Sequence, residues 1–174
     1  MATGEFKAQR ILLVETAADG HHLEYLSYAI IGLRNRGHVP VILTTLEAQD
    51  RLQHDYALPS NLEYVITSDS GELSPSEVLR CATGQSVDQV VLTSGDRFVY
   101  RLALLGLWPR DLPITALLLR SPWISPRVPT RDLAKRLAVE VATRRFPLHV
   151  RHLAGPGVVE MDHLRLVNDV SRWK

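Results

Sequence analysis

The chain has 174 residues, of which 45% are apolar, and a formal net charge of +1. That length and apolar content predict one domain with a core of its own and exclude a disordered chain, and the near-neutral balance excludes a nucleic-acid signature of the whole molecule. Cys81 is the single cysteine; it excludes an internal disulfide and a cysteine metal cluster, and in Val78-Leu79-Arg80-Cys81-Ala82 it reads as a small core residue.

Arg10–Glu15 reads as a buried strand: short, apolar and partly β-branched. The loop ADGHH follows, with Asp19 as a candidate N-cap. Leu23, Leu26, Ile30 and Leu33 then fall on one face at helical spacing, and Gly37 is a helix stop. Val39–Thr45 is a second strand, Glu47–Tyr56 a short helix, and Leu62–Thr67 a third strand. Pro75–Thr83 begins a helix, with proline in its first turn and Ser74 as its cap. Gln89–Thr93 is a fourth strand, and a helical run extends from Phe98 to Leu107. Ile114–Leu119 is a fifth strand, Pro122–Pro129 a proline-rich loop, Asp132–Arg145 a basic helix and His149–Leu153 a sixth strand. A last helix is predicted from Val158.

Strands alternating with helices mean βαβ crossovers. The fold class expected is α/β: a three-layer, Rossmann-like, doubly wound and mostly parallel sheet, in one domain over residues 1–174. Charge is unevenly spread. Residues 1–119 hold 9 basic and 14 acidic side chains, whereas residues 120–151 hold 8 basic and 2 acidic ones. Such a basic segment suits either a solvated helix face or a local anionic contact. The segment MATGEFKAQR has no apolar stretch and no apolar run reaches spanning length, which sets the expectation of a cytoplasmic protein.

In open parallel sheets ligands bind beyond the carboxyl ends of the strands. Three loops meet that description: Thr16–His22, Ser94–Arg97 and Arg120–Trp123. Asp19 and Gly20 lead into a helix N-terminus, where amides favour anions. His21 and His22 are adjacent, so at most one points into a site. Its imidazole would exchange a proton near neutral pH; the competing reading is a loop hydrogen bond for one ring and solvent for the other. Asp96 is a candidate for hydrogen-bonding hydroxyls or orienting a histidine, or else a helix cap, with Ser94, Gly95 and Arg97 beside it. Arg120 would hold a phosphate or carboxylate in its fork, or form a structural salt bridge. There is no G-x-G-x-x-G, no Walker motif, no G-x-S-x-G, and HHxE is not HExxH. No cofactor and no metal site is therefore expected.

The stretches RILLVET, DGHHLEYL and LRNRGHVPVILTT, with the later QVVLTSGDRFVYRLALLG and ITALLLRSP, resemble the N-terminal half of GT-B glycosyltransferases, notably the retaining family 4 type. The resemblance covers most of the chain. It implies the acceptor-side half of a transferase that moves a sugar from a nucleotide-sugar only with a donor-binding partner, because the second domain and its carboxylate motif have no counterpart here. It places Gly20 in the family's glycine loop and His21 or His22 near the acceptor. Asp96 falls in the loop after the fourth strand, where the family puts a polar catalytic or acceptor-binding residue. His21, His22 and Asp96 are then the catalytic candidates. Asp19, Gly20, Ser94, Gly95, Arg97 and Arg120 are the substrate-binding ones. The partners it implies are a donor-binding protein or a second copy of the chain, with peripheral membrane contact through residues 131–145 as a further candidate and no nucleic acid. The alternatives are a non-enzymatic Rossmann-like binding or regulatory module, as a degenerate glycosyltransferase, and a complete small α/β enzyme acting on a nucleotide or phosphorylated metabolite.

Overall fold

The computed structural model describes residues 7–19, 21–68, 73–118 and 129–152. Strands and helices alternate along them: β1 (Arg10–Val14), α1 (His22–Arg34), β2 (Val39–Thr45), α2 (Leu46–Asp55), β3 (Glu63–Thr67), α3 (Pro75–Gly84), β4 (Gln89–Leu92), α4 (Asp96–Leu105), β5 (Ile114–Leu118), α5 (Pro129–Arg145) and β6 (Leu148–His152). The strands form one sheet in the order β3-β2-β1-β4-β5-β6. Every pairing is parallel. This is the α/β, three-layer, doubly wound architecture that the alternation predicts.

The sheet is buried because its central strands are apolar on both faces. Ile11 and Leu13 of β1 join Ile42, Val91, the α1 stripe Leu23-Leu26-Ile30-Leu33, and Ala48 and Leu52 of α2. Leu12 and Val14 point the other way, into a layer with Val41, Leu43, Val90, Leu92 and residues of α3, α4 and α5 such as Val78, Leu102 and Ala142. Each fully buried leucine or isoleucine contributes roughly 2 kcal/mol of burial free energy. Helices on both faces are what a parallel sheet of this kind requires.

Local chemistry sets the helix ends. Thr45 caps α2, its hydroxyl accepting from Ala48 N–H at 3.2 Å. Ser74 and Glu77 form a reciprocal capping box on α3, behind Pro75 in the first turn. Gly37 closes the turn after α1 at φ +77°, a conformation glycine adopts without strain. Asp19 is not the cap of α1; His21 holds that position and makes no side-chain capping bond. Helix α4 opens at Asp96, two residues before the predicted start, and α5 opens at Pro129, three residues before it. The predicted helix from Val158 lies outside the described residues.

At the amino ends of the strands Arg10 ties the sheet together. Its amide donates to Asp88 Oδ2 at 2.8 Å and its guanidinium forks onto both Glu63 oxygens, at 3.1 and 2.8 Å. Polar groups of another kind gather at the opposite, carboxyl ends. Among the described residues no helix is long and apolar enough to cross a membrane.

Candidate functional site

The strand order reverses direction between β1 and β4, which are paired neighbours although α1 to α3 intervene in sequence. A crevice at such a switch point is where open α/β sheets take ligands. Alternation along β1 puts Glu15, the residue after Val14, on the same face as Ile11 and Leu13, under α1. It is 3% exposed. A carboxylate so deeply buried needs partners, and Glu15 has three. Oε1 accepts from Ala17 N–H at 3.0 Å. Oε2 accepts from the Thr93 hydroxyl at 2.7 Å and faces His22 Nδ1 at 3.2 Å. Thr93 lies in the loop after β4 and also approaches Val14 O at 3.2 Å; its single proton favours the nearer, charged acceptor.

One carboxylate therefore joins the loop after β1, the first residue of α1 and the loop that leads to α4. The His22 imidazole is 23% exposed. Its pKa is raised above 6.5, chiefly by the hydrogen bond to Glu15; burial opposes the shift, and the charges of Glu15 and Asp19 reinforce it. With Nδ1 turned to Glu15, Nε2 lies on the opposite side of the ring. Thr44 extends the polar row onto β2. Leu43 pairs with Val14, so Thr44 falls beside Glu15 one step further along. It is fully buried, and its hydroxyl has no hydrogen-bond partner among the described residues.

The helix ends differ in a way that follows position. α2 and α3, away from the switch point, carry side-chain caps. α1 and α4, whose N-termini meet at it, have none: His21 and Gly95 occupy the cap positions without a capping side chain. Helix N-termini attract anions, most strongly where no side-chain oxygen already occupies them.

The remaining candidates separate by distance from this centre. His21 is exposed, stacks on His22 at 5.0 Å between ring centroids and meets Tyr25 edge-on at 5.1 Å. Asp19 is exposed and acts on His22 through its charge. Ser94 lines a cavity of about 30 Å³ with Val14, Glu15, Thr16, Leu92 and Phe98. Gly95 serves packing. Its amide donates to Leu117 O at 2.9 Å, and a Cβ there would stand 2.7 Å from Ala116 Cβ, so only glycine lets α4 approach β5 this closely. Arg97 is exposed in the first turn of α4. Asp96 opens that helix, but its side chain, like Gly20 and Arg120, lies outside the described residues. Among the described residues no group of His, Cys, Asp and Glu is arranged to hold a metal ion.

Sequence reasoning missed Glu15 and Thr93 as site residues and offered Asp96, not Glu15, as the residue to orient a histidine. The available signal was an acidic residue directly after the apolar run Ile11–Val14, at the carboxyl end of the first strand.

No protein-family model and no curated protein sequence matches the chain. The fold resembles that of AnUbiX (PadA1). That structure, in complex with FMN and dimethylallyl pyrophosphate, is 12% identical, aligns with a TM-score of 0.53, and is matched over 97% of this chain and 94% of its own. The likeness is one of fold. It corrects the glycosyltransferase reading, because the solved fold that spans almost the whole chain is a flavin-bound protein and not a GT-B domain. The acceptor-half assignment and the nucleotide-sugar fall with it. The physical reason is that RILLVET, a loop, an amphipathic helix ending in RGH, and VPVILTT are what any βαβ unit needs: a buried strand, a covering helix, a glycine stop and a second buried strand.

Proposed function

We propose that the protein binds a phosphate-bearing small molecule at the carboxyl ends of β1 and β4 and that His22, held by Glu15, exchanges a proton with it. The observation that carries the reading is the carboxylate of Glu15, buried at the switch point and hydrogen-bonded to both His22 and Thr93. Its negative charge is engaged by those two side chains and the Ala17 amide, so it orients the imidazole and favours the imidazolium. The uncapped N-termini of α1 and α4 and the raised pKa of His22 then favour an anion.

Both ligands in the AnUbiX (PadA1) structure, FMN and dimethylallyl pyrophosphate, carry phosphate. The reading takes only that shared group from them. Histidine chemistry of this kind suits acid–base steps on a phosphate ester or at the carbon bearing it.

The test is titration of inorganic phosphate and pyrophosphate into the protein, followed by calorimetry and by the ring resonances of His22. Binding should raise the His22 pKa further and weaken as pH climbs past that value. His22→Ala should lower affinity about tenfold, the loss of one charge-assisted bond. Equal affinity in the variant, with unmoved His22 resonances, would refute the assignment.

A further inference from the structure

The two helices that flank β5 in sequence carry an outer surface that the proposed site does not use. α4 and α5 lie side by side on one face of the sheet and send residues such as Leu102 and Ala142 into its core. A Cβ added at Gly106 would stand 3.1 Å from Arg145 Nη2, so the end of α4 meets the last turn of α5. Successive right-handed crossovers make the two helices run parallel. Their outer faces therefore form one surface, turned away from the sheet.

Four leucines stand out of this surface. Leu104 and Leu107 flank Gly106 and are 80% and 81% exposed, and Leu133 and Leu137, one turn apart on α5, are 66% and 60% exposed. Leu137 lies about 12 Å back along α5 from Arg145, at ~1.5 Å per residue. A leucine exposed by itself needs no explanation, whereas several on one surface mark an interaction site.

The charge is uneven in the same place. α4 and α5 hold 7 basic and 3 acidic residues, net +4, which leaves 13 basic and 16 acidic residues, net −3, for the rest of the chain. Arg97, Arg101, Arg144 and Arg145 are exposed among those cations.

These two properties together select the partner. A second copy on a two-fold axis would set one positive face against another, and like charges oppose that contact. A nucleic acid would answer the cations and leave the leucines in water. An acidic protein would need pockets matched to four separated leucines. An anionic bilayer answers both properties, because its headgroups meet the guanidinium groups and its acyl chains accept leucines without a matching pocket. We infer that the outer face of α4 and α5 docks on an anionic membrane surface, with Leu104, Leu107, Leu133 and Leu137 inserted among the lipids. The contact is peripheral, since among the described residues no helix is long and apolar enough to cross a membrane. Stable attachment of this kind takes two signals, here the leucines and the basic surface around them.

Co-sedimentation with lipid vesicles tests the assignment. The protein is mixed with vesicles of phosphatidylcholine alone and with vesicles containing about one-third phosphatidylglycerol. Binding to the anionic vesicles should be about tenfold stronger or more. It should fall as salt rises from about 0.1 M to about 1 M, where the screening length drops from ~10 Å to ~3 Å. Leu104→Gln with Leu107→Gln, and Leu133→Gln with Leu137→Gln, should each weaken it about tenfold. These side chains are exposed, so both double variants should unfold in urea close to the wild-type midpoint. Leu46→Gln removes a leucine that is 60% exposed on α2, across the sheet, and should leave vesicle binding unchanged. No binding to anionic vesicles, equal binding to neutral ones, or binding that both leucine pairs leave intact would overturn the assignment. A dimer in sedimentation velocity that the same leucine substitutions dissociate would overturn it in favour of a second copy of the chain.

Discussion

Replacing His22 with alanine tests the Glu15–His22 pair through stability, with no ligand required. In the folded protein the His22 pKa lies above 6.5, held there first by the Glu15 hydrogen bond. A group whose pKa rises on folding adds stability that is complete below its unfolded value, here 6.5, and that is lost as pH climbs through the raised value. Glu15 is almost fully buried, so the bond is little diluted by water, while the imidazole is 23% exposed. A hydrogen bond with charged partners contributes roughly 1.5–3 kcal/mol, and the exposure of the ring places this one at the lower end, about 1.5 kcal/mol at about pH 5.5. That lowers Tm by about 3–6 °C for a domain of this size. As pH rises through the raised value toward about 9, folded and unfolded forms come to carry the same neutral imidazole, and the Nδ1–H bond to the Glu15 carboxylate keeps only part of the difference. Denaturant unfolding of the wild-type and His22→Ala proteins across that range should therefore give curves that converge as pH rises. A constant gap, or one that widens with pH, would show that Glu15 does not hold a protonated His22.

Thr93→Val removes the hydroxyl that Glu15 Oε2 accepts and should cost about 1–3 kcal/mol in urea unfolding, with Thr93→Ser recovering most of the loss. Gly95→Ala places a methyl 2.7 Å from Ala116 Cβ, against a strand that has no room to yield, so about 1–3 kcal/mol of stability should disappear by thermal denaturation. Ser74→Ala removes the capping box of α3; a loss of about 1 kcal/mol is expected, with the urea m-value unchanged.

The architecture was legible because each strand–helix unit carries its own signal. Four apolar residues in a row at Ile11–Val14, and five consecutive buried residues at Ile114–Leu118, can be strands only if both faces of the sheet are covered. Ser74 and Pro75 wrote the start of α3 in local chemistry, and Ser74 is its cap, with Glu77 completing a capping box that the sequence reading did not name. Legibility failed where local preference met tertiary demand. Asp19 is the better intrinsic cap for α1, yet the chain turns two residues later, with His21 at the cap and His22 drawn onto Glu15. Gly95, not the flanking Asp96, caps α4, because β5 presses on that turn and admits no side chain.

The site was legible by position and illegible by chemistry. Parallel-sheet topology pointed to the loops after β1 and β4, and the polar cluster does lie there. Its organiser was hidden because Glu15 reads in sequence as the last residue of a strand, and nothing local connects it to Thr93, 78 residues away. Strand order makes that connection. Once β4 pairs with β1 and β2 with its other edge, Thr44, Glu15 and Thr93 become one row on the face that α1 covers. The same step separates the two histidines. Equivalent in sequence, they differ because the first turn of α1 aims His22 at a buried carboxylate and leaves His21 stacked outside it. A buried acid that holds an imidazole between two uncapped helix ends is a costly arrangement for a loop that only turns the chain, since an alanine or serine at Glu15 would close the loop with no charge to bury. That cost is the reason for assigning the His22 end of the loop, rather than His21, to ligand chemistry.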